Sequence, residues 1–90
     1  MIIVLLTYVG DVEPHRAAHV AWLKQALADG RLVTAGRQPV TGGVLVAHGP
    51  RAEVEAWAAT DPFLTAGVAT ASFVEFTPSL AASGLEALLS

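Results

Sequence analysis

The first nine residues, MIIVLLTYV, do most to limit what this 90-residue chain can become. The run is too short for a membrane-spanning helix, which needs about 18 consecutive apolar residues, and its β-branched, aromatic content marks a strand over residues 2–9. Counted in twos, Ile3, Leu5 and Val9 fall on one side and Ile2, Val4, Leu6 and Tyr8 on the other. Both sides are apolar, so both faces of the sheet that holds this strand need cover. Residues 44–48 repeat the pattern, with Val44 and Val46 set against Leu45 and Ala47.

A chain of this length makes one domain and buries roughly 63% of its surface. Its residues are 53% hydrophobic and only 14% charged, which is more apolar surface than one small core hides. No segment reads as a membrane anchor. Residues 1–9 have no basic residue before them and no small-residue cleavage site after them, so they do not read as a signal peptide either. A net charge of −3 with five scattered basic residues argues against nucleic acid as the main partner. The chain has no cysteine, hence no disulfide, thiolate nucleophile or iron–sulfur site, which fits a cytoplasmic location. The surplus apolar face is therefore assigned to a second copy of the chain, and a homodimer is expected.

Beyond the first strand, a helical period over residues 13–29 sets Arg16, Val20, Leu23 and Leu27 on one stripe, with His19 and Ala26 beside it. Pro14 suits its first turn and Gly30 its stop. Strands are predicted over residues 31–35, 44–48 and 68–76, with a second helix over 51–60 whose Val54, Trp57 and Ala58 face inward. The order β-α-β-β-α-β predicts an α+β ferredoxin-like domain over residues 1–78, an antiparallel sheet with both helices on one face. The other face is left for the dimer. Residues 79–90 form a C-terminal extension in which Leu80, Leu85, Leu88 and Leu89 predict a short amphipathic helix.

Polar residues on an apolar stripe point to a site. Arg16 aligns with the apolar residues of the first helix, and a cation there opposes the helix dipole and loses hydration, so it needs an anionic partner or a ligand. Asp61 is the candidate partner. A carboxylate beside His19 would also orient its imidazole, the side chain suited to proton transfer near neutral pH. Each residue has a plainer account: Arg16 reaching past the sheet end, His19 at a boundary, and Asp61 capping a turn begun by Pro62 while Phe63 fills the core. Arg37 could meet an anionic substrate or face solvent. His15 and His19 are spaced like a zinc pair but lack a third ligand, so no metal is expected. Gly42-Gly43 reads as a hairpin turn, His48 as a turn-edge residue, and Trp22 and Trp57 as packing residues.

Taken in order, Arg16-Ala-Ala-His19 with Trp22-Leu23, Gly30-Arg31-Leu32, Ala35-Gly36, Gly42-Gly43, Asp61-Pro62-Phe63 with Gly67, and Phe76-Thr77-Pro78 resemble the YciI-like (YCII-related) domain. The resemblance implies a ferredoxin-like fold related to muconolactone isomerase and other dimeric α/β barrels, paired through sheet faces. It also implies a pocket histidine and aspartate, here His19 and Asp61, with Arg16 as the motif arginine. One branch of that family is associated with dehydrochlorination of chlorinated hydroxyquinol-type compounds. Where the family commonly reads Ala-Gly-Pro, this chain has Ala-Gly-Arg37, which bears on loop shape and substrate choice.

Two functions are weighed on this basis. One is a cofactor-independent lyase or isomerase acting on a small cyclic or aromatic anionic compound, with His19 and Asp61 catalytic and Arg16 and Arg37 binding substrate. The other is a non-catalytic dimeric module that binds a small ligand or regulates a partner.

Overall fold

The computed structural model describes residues 1–89. Strand β1 (Ile2–Tyr8) leads through a 3₁₀ turn (Glu13–His15) into helix α1 (Arg16–Ala28). Strands β2 (Leu32–Arg37) and β3 (Gly43–Ala47) follow, then helix α2 (Arg51–Ala58), a single helical turn α3 (Pro62–Thr65) and strand β4 (Ala69–Glu75). The strands lie in the order β2-β3-β1-β4, each antiparallel to its neighbours. This is the expected α+β, ferredoxin-like arrangement. Among the described residues no helix is long and apolar enough to cross a membrane.

The two registers of β1 have different fates. Ile2, Val4 and Leu6 are buried and join Leu45 and Ala47 of β3, Ala26 of α1, and Val54 and Ala58 of α2 in the main core. On the opposite face Ile3 lies between Val46 and Val74, and Leu5 beside Val44, in a row of apolar side chains that the described residues leave partly or wholly exposed. A smaller cluster of Val12, Phe63 and Ala69, with Tyr8 and Leu64 packed on it, fixes the turn α3 to the end of the sheet.

Strand β2 runs two residues further than the sequence predicts and carries a bulge. Leu32 pairs with Ala47 but Thr34 pairs with Val46, so Val33 is an extra residue. Alternation restarts out of phase after a bulge. Ala35 and Arg37 consequently stand opposite Leu45 and Gly43 on the helix-covered face. A short helix, of 3₁₀ type (Glu86–Leu89), lies near the C-terminus as expected, and Leu80 is 91% exposed.

The β2–β3 connection is held by two backbone bonds, Gln38 N–H donating to Gly42 at 2.7 Å and Tyr8 N–H to Thr41 at 2.9 Å, and by the Thr41 hydroxyl donating to the Gln38 side-chain carbonyl. Gly42 has φ +154°, and a Cβ there would stand 1.9 Å from the Leu6 carbonyl oxygen. Gly42→Ala is therefore expected to lower stability by about 2 kcal/mol or more in urea denaturation, since the carbonyl belongs to a central strand that cannot retreat. Gly30→Ala meets nothing within 4 Å and bears only the strain of its positive φ. It should cost less.

Candidate functional site

Helix α1 presents to the sheet a face turned from the one its apolar residues predict. His19 and Ala26 are buried with Trp22 and Leu23 packed beside them, whereas Val20 and Leu27 are 38% and 48% exposed. The two faces differ by roughly 80° around the helix at 100° per residue. Flat rings decide the orientation. His19 stacks on Phe63 at 3.9 Å and 9°, and Trp22 stacks on Trp57 at 4.2 Å and 11° while donating its indole N–H to the Thr60 hydroxyl. Alanines at positions 17, 18 and 21 blur the outer face, so counting apolar side chains gives no clear direction.

Asp61 sits at the N-cap of α3 with its side chain fully buried. One oxygen, Oδ1, accepts the Phe63 backbone N–H at 2.9 Å and lies 2.7 Å from His19 Nδ1. The capping account and the orienting account of Asp61 are thus both met by the same atom. An ionised carboxylate only accepts, so the contact assigns a proton to Nδ1, and the neutral imidazole then carries its lone pair on Nε2. Nε2 has no hydrogen-bond partner among the described residues. The other Asp61 oxygen, Oδ2, is buried without a partner among them.

Arg16 is not paired with Asp61, as its place on the stripe predicted. Its Nη2 lies 2.7 Å from Glu13 Oε1, and its Nε donates to the same carboxylate at 3.1 Å. The correction follows from the turned helix: His19 covers Asp61, while Arg16 remains a third exposed and meets the carboxylate one turn earlier. The pairing raises the Arg16 pKa further, chiefly through the Glu13 hydrogen bond and charge with Tyr8 adding to it, and the same guanidinium lowers that of Glu13.

A hollow of about 160 Å³ lies between α1 and the sheet, lined by His19, Arg16, Tyr8, Leu23, Leu45 and Arg37 among others. Three of the four sequence-predicted site residues therefore share one cavity, and the fourth, Asp61, stands behind His19. The β2 bulge brings Arg37 there. Sequence reasoning missed Tyr8 as a lining residue, although a polar tip ending the inward register of β1 was a usable signal. It missed Glu13 too, whose i, i+3 spacing to Arg16 is that of a helix ion pair. His48 lies across the molecule beside Asp29 and Glu53. Among the described residues no three histidine, aspartate or glutamate side chains are grouped to hold a metal ion.

The fold and the cavity define a small α+β domain with a histidine–carboxylate pair under its first helix. Residues 1–77 match the family model described as the YCII-related domain, and the chain belongs to that family. No curated protein matches the sequence. Among solved structures the chain is similar to 5-chloro-2-hydroxyhydroquinone dehydrochlorinase (TftG) from Burkholderia phenoliruptrix AC1100, in complex with 2,5-dihydroxybenzoquinone. The TM-score is 0.68 at 18% identity, over 88% of this chain and 96% of that one. At that identity the likeness shows the shared fold.

Removing the imidazole strands a buried carboxylate. His19→Ala is expected to cost about 3–5 kcal/mol of unfolding free energy at neutral pH. His19→Asn, which keeps a donor near the Nδ1 position, should cost at least 1 kcal/mol less. Equal losses in the two variants, read by urea denaturation, would show that Asp61 does not depend on that donor.

Proposed function

We propose that the protein is a cofactor-independent enzyme of lyase or isomerase type that acts on a small cyclic or aromatic anionic compound, with His19 and Asp61 as its acid/base pair. One observation carries this reading: the 2.7 Å contact between a buried Asp61 and His19, with the imidazole lining a cavity. Asp61 and the Phe63 ring hold the imidazole in one tautomer and one plane, so that Nε2 acts as the base. Arg16 binds the oxygen on which negative charge accumulates, and Arg37 is the second substrate-binding arginine.

In the reaction Nε2 takes a proton from a substrate hydroxyl or an acidic carbon, and the released electron pair moves onto the ring and its arginine-bound oxygen. Return of that proton at another atom completes an isomerisation. Expulsion of an anionic leaving group, with the proton carried off by His19, completes an elimination of HX. A structural neighbour described as a dehydrochlorinase of a hydroxyhydroquinone supports this substrate class.

With 5-chloro-2-hydroxyhydroquinone as trial substrate, His19→Asn and Asp61→Asn should each lower kcat by roughly 10²–10⁴-fold, with the fold checked by circular dichroism. Full turnover in both variants would refute the pair. Binding without turnover by the unaltered protein would favour a ligand-binding module instead.

We further propose that a second copy covers the open sheet face, and that this homodimer works in the cytoplasm. The apolar row of Ile3, Leu5, Val44, Val46 and Val74 supports it, because an uncovered sheet face ordinarily carries polar residues. Sedimentation should report twice the 9.3 kDa chain mass, and Leu5→Glu should return the monomer. A concentration-independent 9.3 kDa species for the unaltered chain would overturn the dimer.

A further inference from the structure

A second hollow, of about 320 Å³, adjoins the first and is lined by Tyr8, Arg37, Gln38, Pro39 and Val40. Tyr8 and Arg37 line both hollows and so form the wall between them. The polar groups of the second hollow are hydrogen-bond donors. The Gln38 side-chain carbonyl accepts from the Thr41 hydroxyl, which leaves its amide NH₂ as the free end. Arg37 has no hydrogen bond or ion pair through its side chain among the described residues; Glu13 is near enough to feel its charge. Tyr8 adds a hydroxyl. Among the described residues no carboxylate side chain lines either hollow.

Two features keep this donor set in place. The β2 bulge directs Arg37 to the helix-covered face. The loop bearing Gln38 is held by the Gln38 N–H to Gly42 and Tyr8 N–H to Thr41 bonds, with Gly42 close against the Leu6 carbonyl.

Resting on the reading of the His19 cavity given above, we propose that the substrate has two parts: a hydroxylated ring that reacts at His19, and a short carboxylate arm that passes Tyr8 to lie against Arg37 and Gln38 in the second hollow. A planar guanidinium together with an amide NH₂ matches a carboxylate better than a neutral group. Arg37, and not the arginine of the family motif, thereby sets which members of the hydroxylated-ring class are accepted.

The test compares two probes on the full chain by NMR titration, hydroquinone and 2,5-dihydroxyphenylacetate, which differ by one carboxymethyl arm. For the unaltered protein the arm should tighten binding about 10-fold, the effect of one charge-assisted contact. In Arg37→Ala that ratio should fall to within about twofold of unity, with an unchanged melting temperature. A ratio near one in the unaltered protein, or a ratio that survives Arg37→Ala, overturns the proposal while the His19 reading stands. If neither probe shifts the His19 ring resonances, the reading of the cavity itself fails and the arm site with it.

Discussion

A single buried oxygen, Asp61 Oδ1, connects the parts of this structure that matter most. It caps α3 by accepting from Phe63 N–H, and it accepts the imidazole proton of His19 on α1. The fully buried carboxylate would be costly alone. One donor, Phe63, is a near neighbour and the other, His19, lies 42 residues away in the chain, so the layer of helices is locked together at the candidate site. Phe63 takes part twice, with its backbone donating to Asp61 and its ring lying flat under the imidazole. Neither the tautomer nor the ring plane of His19 can change without disturbing the packing of α3.

Around that fixed point the charged residues are arranged by cheaper means. Glu13 and Arg16 form an exposed pair that adds little to stability but takes the Nε/Nη2 edge of the guanidinium and limits where the other edge points. Arg37 is aimed by a strand irregularity and held by no partner among the described residues. The cavity thus joins a rigid wall built from buried groups to a cationic rim in which Arg16 is tied to Glu13 and Arg37 has no side-chain partner among the described residues.

Much of the fold was legible because the strands are so apolar. Alternation assigned Ile2, Val4 and Leu6 to one face and Ile3 and Leu5 to the other, and turn residues separated the elements within a few positions of where they lie. The site was legible in composition but not in geometry. His19 and Asp61 stood out as polar residues among apolar ones, yet the face of α1 was read wrongly because ring stacking, not aliphatic burial, orients it. Asp61 therefore seemed free to meet Arg16. The bulge at Val33 left no trace in the sequence, since RLVTA alternates equally well with or without an extra residue, and with it the direction of Arg37 was hidden.

That bulge also bears on how such a site changes over time. Pairing on its N-terminal side, at Leu32 and Ala47, is independent of the residue count beyond it. Removing Val33 would erase the bulge and keep Thr34, Ala35 and Arg37 on their present partners, whereas closing the bulge with every residue kept would set Val33 opposite Val46 and Thr34 opposite Leu45 and turn the other set of β2 side chains to the cavity. Change in strand pairing, and not only replacement of side chains, is then a route by which a domain of this kind presents a different set of side chains to its cavity.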